Sequence, residues 1–326
     1  SLVKGAGLRT LSLRSSWVRI PPPAPSYFFT KKTKNISNQR SISPLKKTLV
    51  GITVVGKDKE GIVANFTNFV FEKNGNLEKV NQNVVKNLFG MYLEVSFPKK
   101  INVKTFDSDV LKLGKKLRME VNTHHETKSE KNIAIFVTKE PHCLDALLRA
   151  KSKKEIKGNI SVIIGTEKIL SSKVKKAKIP FVLVNEKNQV KAEMKILKIC
   201  QKYNVDLIAL ARYMRILSPN FVWRYPNRII NIHPSVLPAF PGALAYEQAF
   251  ERGTKIVGVT SHYVTENLDQ GPIIFQDSFK VNPDDTLESI KKQGQKLEST
   301  ILLKAVKMHL DNKLEVRWRK VHIKTK

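Results

Sequence analysis

Short apolar runs alternate with helix-like segments through the middle of the chain. The runs lie at residues 132–137, 160–164, 180–184 and 206–210, and segments with apolar residues at helical spacing lie at 143–149 and 190–203. Strands that are apolar on both faces are typical of parallel sheets covered by helices on each side. The alternation therefore predicts an α/β domain with a mostly parallel sheet. Ligands of such sheets bind at the carboxyl ends of the strands.

The preceding part of the chain has a different order of elements. We expect a strand, a helix, two strands and a second helix, in that order, at residues 49–55, 61–74, 77–85, 89–97 and 110–121. This order and the turn Lys57-Asp58-Lys59-Glu60-Gly61-Ile62-Val63 resemble the ACT domain, a regulatory module with a βαββαβ, ferredoxin-like fold. The resemblance implies an amino-acid effector site near Asp58, Gly61, Ile62 and Asn76. A purely structural or dimerising domain fits the same motif.

The composition changes at three points, which divide the chain into four parts. We expect an ACT-like domain over residues 48–123, a polar linker over 124–131 and the α/β domain over 132–326. Residues 1–47 contain ten Lys or Arg and no Asp or Glu. They resemble either an organelle transit peptide or a translated tRNA gene upstream of the natural start, and we expect no folded structure there.

The charge, the hydropathy and the cysteines favour a protein that binds no nucleic acid, membrane or metal. The net charge is +30, yet the lysines after residue 47 are scattered and do not interleave with aromatic residues, so nucleic-acid binding is not expected. No apolar run reaches the ~18 residues needed to cross a bilayer. Cys143 and Cys200 lack metal-ligand spacing, and His124-His125 lacks a second pair nearby, so we expect reduced thiols and no metal. A cytoplasmic homo-oligomer is expected, with organelle targeting by the first 47 residues as the alternative.

Polar residues stand at the end of a predicted strand, where a site is expected. The run Arg228-Ile229-Ile230-Asn231-Ile232 continues into His233, and residues two apart on a strand share a face. Asn231 and His233 therefore point the same way while Ile232 faces the core. Further along, Asp269 lies in a loop that leads back into a strand.

These motifs resemble the folate-dependent formyltransferase family over residues 132–310. The likeness rests on Asn231-Ile232-His233, on Leu237-Pro238 with Gly242, and on Leu268-Asp269-Gln270-Gly271-Pro272-Ile273-Ile274. It implies a Rossmann-like domain whose catalytic residues are Asn231, His233 and Asp269. It also implies a folate substrate, 10-formyltetrahydrofolate, and no other cofactor. The folate contacts so implied are Met214, Arg215, Ile216, Leu217, Gly242, His262, Thr265, Glu266, Asn267 and Leu268. A packed strand histidine is an equal interpretation of His262.

The chemistry of formyl transfer accounts for the three catalytic residue types. Attack on a formyl carbon builds negative charge on its oxygen, which the Asn231 amide and a protonated His233 can stabilise. The nucleophile must lose a proton to His233 or to a water held by Asp269. A carboxylate beside the imidazole would also orient the ring.

The segment after the first strand of the α/β domain bears on the formyl acceptor. Phosphate-binding transformylases have a glycine-rich loop there, whereas residues 138–143 contain no glycine, one carboxylate and Pro141, which lacks an N–H donor. The segment Thr138-Lys139-Glu140-Pro141-His142-Cys143-Leu144 resembles the corresponding one in formyltetrahydrofolate deformylases, which also carry an ACT domain. That resemblance implies hydrolysis to tetrahydrofolate and formate, which supplies one-carbon and purine metabolism.

One residue departs from the deformylase pattern. Those enzymes often have a second histidine after the catalytic one, but here Pro234 follows His233, as in the transformylases. Pro241 and Leu244 also differ from the expected loop. Two alternatives therefore stay open, namely formyl transfer to an amine such as glycinamide ribonucleotide, and a non-enzymatic ACT-containing folate-binding regulator.

Overall fold

The computed structural model describes residues 48–98, 101–125 and 130–324. The prediction for residues 1–47 lies outside this part of the chain. The first domain contains β1 (Thr48–Lys57), α1 (Ile62–Glu72), β2 (Asn76–Val85), β3 (Leu88–Phe97), α2 (Val103–Lys116) and β4 (Glu120–His125). Its sheet is antiparallel, in the order β2-β3-β1-β4. The predicted βαββαβ fold is confirmed.

Both helices of the first domain pack on one apolar face of this sheet. Ile62, Phe66 and Val70 recur at helical spacing along α1 and are buried with residues of β1 and β3. The second helix lies earlier than expected, since the side chain of Asn102 caps it by accepting a hydrogen bond from Thr105 N. The prediction of a helix at 110–121 was therefore wrong at both ends, and Val121 belongs to β4.

The paired histidines lie in a strand, not in a linker. His124 and His125 continue β4 beside β1, opposite Gly51 and Val50. Both are half-buried, and His125 Nε2 lies 2.8 Å from Asp107 Oδ1. Polar residues form a strand here because an ordered neighbour supplies backbone partners and counter-charges. The expected linker of residues 124–131 therefore overlaps the end of β4 and the first residue of the next strand, which begins at Lys131. The division into domains stays a prediction.

The second domain is built on a seven-stranded sheet. Its elements are β5 (Lys131–Val137), α3 (His142–Ser152), β6 (Gly158–Gly165), α4 (Ser171–Lys176), β7 (Phe181–Leu183), α5 (Gln189–Lys202), β8 (Leu207–Ala211), α6 (Pro219–Val222), β9 (Ile229–His233), α7 (Ala245–Glu251), β10 (Ile256–Tyr263), β11 (Ile273–Lys280) and α8 (Leu287–Leu310). The strand order is β11-β10-β9-β8-β5-β6-β7. Strands β5 to β9 pair in parallel, whereas β10 pairs antiparallel with β9 on one side and with β11 on the other. The predicted mostly parallel, Rossmann-like sheet is confirmed.

Helices cover both faces of this sheet, which explains its continuous apolar strands. Along β5, Ile133 and Ile135 are buried with α3 and α8, whereas Ala134 and Phe136 are buried with α5 and α6 on the other face. Each strand residue therefore has an apolar partner whichever way it points. The free thiols of Cys143 and Cys200 lie in these two cores.

The C-terminal segment forms a hairpin of its own. Strands β12 (Leu314–Arg317) and β13 (Lys320–Ile323) pair with each other and not with the main sheet. Trp318 and Arg319 turn the chain with φ angles of 51° and 62°. The chain after α8 therefore adds no strand to the main sheet within the described residues. No helix in the described ranges is both long and apolar enough to span a membrane.

Strand β4 contacts the second domain through charged and titratable groups near both of its ends. Arg224 Nε donates to Glu120 Oε1 at 2.9 Å, and Arg228 donates to His124 Nδ1 at 3.3 Å. Burial lowers the pKa of His124 to about 4, and the charges of Arg228, Lys131 and His125 act in the same direction. His124 is therefore neutral in the folded protein near pH 6.

We expect this junction to be sensitive to acid. The unfolded chain takes up a proton at His124 near its ordinary pKa of 6.5, while the folded protein does so only near 4. The stabilisation is complete above pH 6.5 and is lost as pH falls towards 4, so the free energy of unfolding should fall by roughly 1–2 kcal/mol from this group by pH 5. Urea unfolding between pH 7.5 and 5 measures this. His124→Asn should give a shallower decline than the wild type, and an equally steep one would contradict the assignment.

Candidate active site

The antiparallel pairing of β9 with β10 creates the floor of the site. Asn231 lies directly opposite His262, and His233 lies opposite Thr260. Asn231 Nδ2 is 3.2 Å from His262 Nε2. The strand alternation predicted from the sequence is confirmed, since Ile232 between them is buried in the opposite core. Three polar side chains thus emerge on one face, close to the carboxyl end of β9.

The loop after β10 brings Asp269 onto this face. Its backbone has a φ of 53°, a left-handed conformation that is uncommon outside glycine. The Asp269 Oδ2 atom accepts a hydrogen bond from Gly242 N at 2.8 Å and lies 3.4 Å from His233 Nδ1. Oδ1 lies 3.7 Å from His262 Nε2. The structure therefore brings together five of the residues expected in the site, and the side chains of Asp269 and His233 are only 6% and 5% exposed.

The His233 ring faces an oxygen on each side. Nε2 lies 2.8 Å from the carbonyl oxygen of Phe240, while Nδ1 faces Asp269. An imidazolium donates from both nitrogens and matches two acceptors. The Phe240 carbonyl therefore occupies the position from which a substrate oxygen could accept a hydrogen bond from Nε2–H.

His262 acts on Asn231 as a neutral ring. Burial lowers the pKa of His262, and the charge of His233 acts in the same direction. Its Nδ1 lies 2.9 Å from the carbonyl oxygen of Tyr263, which assigns the proton to Nδ1 and leaves Nε2 as an acceptor. The Asn231 amide must then donate one N–H to Nε2 of His262. Its second N–H stays available as a donor to a ligand.

Glycine is required where the Asp269 loop returns to β11. A Cβ added at Gly271 would lie 1.6 Å from the carbonyl oxygen of Tyr263. Tyr263 N also donates to the carbonyl oxygen of Pro272 at 2.9 Å. The loop therefore contacts the end of β10, and this contact fixes the position of the left-handed turn at Asp269.

The loop after β8 carries the expected folate contacts at the neighbouring strand end. Met214 and Ile216 are 58% and 64% exposed, whereas Leu217 is buried in the core and cannot present its side chain to a ligand. Met214 N donates to Thr138 Oγ1 at 3.1 Å, and Arg215 Nη1 donates to the carbonyl oxygen of Glu186 at 3.0 Å. These bonds hold the backbone of the loop and leave two apolar side chains exposed.

The remaining expected folate contacts lie in the segment that leads to Asp269. Leu268 is 49% exposed, and Thr265 Oγ1 donates to the carbonyl oxygen of Asn267 at 3.3 Å. Glu266 Oε1 accepts from Asn83 Nδ2 of β2 at 3.0 Å. This bond joins the first domain to the segment beside the site, and nothing in the sequence indicated it.

The effector residues expected in the first domain differ in exposure. Gly61 caps α1 with a φ of 80°, and Asp58 N donates to the carbonyl oxygen of Asn87 at 3.0 Å. Asn76 is exposed at the start of β2. Ile62 is 1% exposed, so its side chain belongs to the core and only its backbone could meet a ligand. The effector site stays a prediction.

Two contributors to the site were not predicted from the sequence. The Phe240 carbonyl is a backbone group, so no residue type could signal it. Thr138 was named only within the segment compared with the phosphate loop and with the deformylases, yet its hydroxyl accepts a hydrogen bond from Met214 N. Both act through the fold and not through a motif.

Comparison with known proteins agrees with the two-domain fold. The Formyl transferase family model matches residues 131–306, and the ACT domain model matches residues 48–124. Formyltetrahydrofolate deformylase of Bacillus subtilis (strain 168) is 38% identical over 273 residues, which are 81% of this chain and 89% of that protein. The Escherichia coli (strain K12) protein of the same name is 37% identical over 252 residues, or 76% of this chain and 89% of that one.

Solved structures give the same grouping. A formyltetrahydrofolate deformylase from Pseudomonas syringae pv. tomato str. DC3000 has a TM-score of 0.59 and 30% identity, covering 85% of this chain and 94% of that one. Glycinamide ribonucleotide transformylase 1 from Symbiobacterium toebii has a TM-score of 0.58 and 30% identity, but covers 62% of this chain and 97% of that one. With an ACT domain joined to the Asn231–His233–Asp269 site, the chain belongs to the formyl transferase family and, within it, to the formyltetrahydrofolate deformylases.

Proposed function

We propose that this chain hydrolyses 10-formyltetrahydrofolate to tetrahydrofolate and formate at the site formed by Asn231, His233 and Asp269. The observation that carries the proposal is the position of the His233 ring between the Asp269 carboxylate and an acceptor oxygen. The residues that hold this geometry come from β9, β10 and the loop after each, so the fold itself assembles the site.

The two donors of the site suit the oxygen of a formyl group. On binding, the formyl oxygen replaces the Phe240 carbonyl as the acceptor of His233 Nε2–H. The Asn231 amide is oriented by His262 and offers its second N–H to the same region. Attack by water turns the formyl oxygen into an oxyanion, which these donors stabilise. A single donor of this kind is worth about 10²–10³ in rate.

The attacking water and the leaving nitrogen both require proton transfer. Water adds its oxygen to the formyl carbon and gives up a proton towards the Asp269–His233 pair. The bond between the carbon and N10 of the folate then breaks, and N10 takes a proton from the same pair. The net reaction consumes one water, whose two protons go to N10 and to solvent, and it yields tetrahydrofolate and formate. Gly242 N donates to Asp269 and holds the carboxylate in place during both transfers.

The folate is proposed to lie along the carboxyl edge of β8, β9 and β10. Exposed Met214, Ile216 and Leu268 offer an apolar surface to a pterin, and the backbone of residues 265–268 offers donors and acceptors. The reaction as written uses protein groups, folate and water, with no further cofactor. An amino-acid effector at Asp58, Gly61, Ile62 and Asn76, a homo-oligomeric state and a cytoplasmic location are further proposals.

A second candidate function is formyl transfer to an amine. Pro234 favours it, because this residue follows His233 as in the transformylases, and the Symbiobacterium toebii transformylase shares the fold at 30% identity. Against it stands the segment 138–143, which offers no glycine-rich backbone cradle for a phosphate.

The acceptor can be determined by direct assay. Purified protein should release formate from 10-formyltetrahydrofolate without any amine, and added glycinamide ribonucleotide should leave the rate unchanged. Formate and formylated glycinamide ribonucleotide are measured in the same reaction. Formyl transfer that requires the amine, with no formate in its absence, would overturn the proposal in favour of the second candidate.

Removal of the catalytic ring should abolish turnover. His233→Ala removes both the donor to the oxyanion and the partner of Asp269, so formate release should fall at least roughly 100-fold. Circular dichroism and the melting temperature should show a folded protein. His322→Ala changes an exposed histidine of β13 and serves as the matched control. A His233→Ala enzyme that keeps a tenth of the wild-type rate would refute the assigned role.

The close approach at Gly271 should be equally important for activity. Gly271→Ala forces the loop away from the Tyr263 carbonyl and displaces Asp269, so kcat should fall about 100-fold, as expected for a misplacement near 1 Å. Gly253→Ala strains a left-handed backbone with a φ of 61°, but its added Cβ meets nothing within 4 Å, so this variant should lose some stability and keep most of the activity. Equal kcat values for the two variants would show that the loop contact does not position Asp269.

A further inference from the structure

A buried carboxylate that the proposed mechanism does not use lies beside the loop after β8. Glu193, in the first half of α5, is 6% exposed. A buried charge is costly unless hydrogen bonds satisfy it, so its partners indicate its role. A second buried carboxylate, Glu298 of α8, contacts Tyr246 and His142. Glu193 instead contacts residues 212–218, which we call the β8 loop.

Two donors of the β8 loop meet the Glu193 carboxylate. Ser218 N donates to Glu193 Oε1 at 2.7 Å, and the Ser218 hydroxyl donates to Oε2. The same hydroxyl accepts from Phe221 N at 3.3 Å, so it also caps α6. Ser218 therefore has a fixed position, because α5 holds it on one side and the helix that follows it holds it on the other.

A third donor connects the carboxylate with a residue expected to contact folate. Gln189 precedes Glu193 by one turn of α5, and its Nε2 lies 3.2 Å from Glu193 Oε1 and 2.9 Å from the carbonyl oxygen of Ile216. The two N–H groups of one amide can serve both acceptors. The carboxylate thus orients the Gln189 amide, and the amide holds the backbone of Ile216.

The anchored backbone groups recur at every second residue of the β8 loop. Groups of Met214, Ile216 and Ser218 form hydrogen bonds with side chains outside the loop. Tyr213 and Leu217 are buried in the core, so the side chains of Met214 and Ile216 point outwards and are exposed. An apolar surface on a fixed backbone suits a flat aromatic ligand, because little of the loop has to be ordered on binding.

A role confined to the stability of α5 is a weaker interpretation of Glu193. The helix packs in the core through Ala192, Ile196 and Cys200. Its first turn is capped by Asn188, whose side chain accepts from the backbone N–H two residues into the helix. Removing the carboxylate leaves this cap and this apolar face intact. The feature that depends on Glu193 is the path of the β8 loop.

We propose that Glu193 is a positioning residue for folate: its carboxylate fixes the β8 loop in the path that presents Met214 and Ile216 to the pterin. The inference rests on the proposed folate site and deepens it. Glu193 contacts neither folate nor a reacting atom, and it acts through Ser218 and Gln189. The pterin keeps its structure during hydrolysis, so these contacts stabilise substrate and transition state equally. Uniform binding of this kind lowers KM and leaves kcat unchanged.

The test separates KM from kcat in formate release. Glu193→Ala removes the acceptor of Ser218 N, so KM for 10-formyltetrahydrofolate should rise about tenfold while kcat stays within about threefold of the wild type. Glu193→Gln keeps an acceptor oxygen, and its amide can donate to the Ser218 hydroxyl. KM of this conservative variant should return to within about threefold of the wild-type value.

Asn102→Ala is the matched control for a loss of stability. It removes the cap of α2 in the first domain, and with it a hydrogen bond between a side-chain oxygen and a backbone N–H. The melting temperature should fall, while KM and kcat should equal those of the wild type. The inference is overturned if Glu193→Ala keeps the wild-type KM, if its kcat falls without a change in KM, or if Asn102→Ala shows the same increase in KM.

Binding of tetrahydrofolate, the product, makes the test independent of the reaction. Its dissociation constant, measured by calorimetry, should rise about tenfold in Glu193→Ala, as KM does. Should that variant fail to fold, Ser218→Ala decides, because it removes the hydroxyl partner and should weaken binding by about threefold, and unchanged binding would contradict the inference.

The two proposals fail in different ways. A wild type that binds tetrahydrofolate about tenfold more tightly than Glu193→Ala but releases no formate refutes the hydrolytic function and supports the role of Glu193. A wild type that releases formate, with Glu193→Ala binding tetrahydrofolate as tightly, refutes the role of Glu193 alone.

Discussion

The Asp269 carboxylate is the group on which the rest of the site depends. It joins the loop after β10 to the loop after β9, because Oδ2 accepts from Gly242 N and faces His233. The left-handed backbone at Asp269 costs of order 1 kcal/mol, which a nearly buried, hydrogen-bonded charge can offset. Removing one partner from a buried ion pair typically costs 3–5 kcal/mol, so the loops, the ring and the carboxylate form one unit.

This unit depends on the change from parallel to antiparallel strand pairing on the two sides of β9. Parallel strands bring β5, β8 and β9 to a common edge, and antiparallel β10 then returns a second polar residue to the same face. His262 thereby comes to lie opposite Asn231, where its Nε2 orients the amide. The position of the donors therefore follows from topology, while their chemistry follows from residue type.

Much of this arrangement could be predicted from the sequence. Continuous apolar strands and the i, i+2 spacing of Asn231 and His233 are local patterns, and both predictions are confirmed. Glu298 could not be predicted, because a glutamate within a lysine-rich helix resembles a surface residue and its partner His142 lies 156 positions away. His124 was mistaken for linker for the same reason, since only pairing with β1 and the contact with Arg228 make a polar strand stable.

Two carboxylates at one sheet edge serve opposite purposes. Asp269 is held by the backbone N–H of Gly242 and faces a ring whose other nitrogen can exchange the Phe240 carbonyl for substrate. Glu298 is held by side chains of α3, α7 and the end of β8, and it is entirely inaccessible. The first can therefore take part in proton transfer, whereas the second can only define the electrostatic character of the edge.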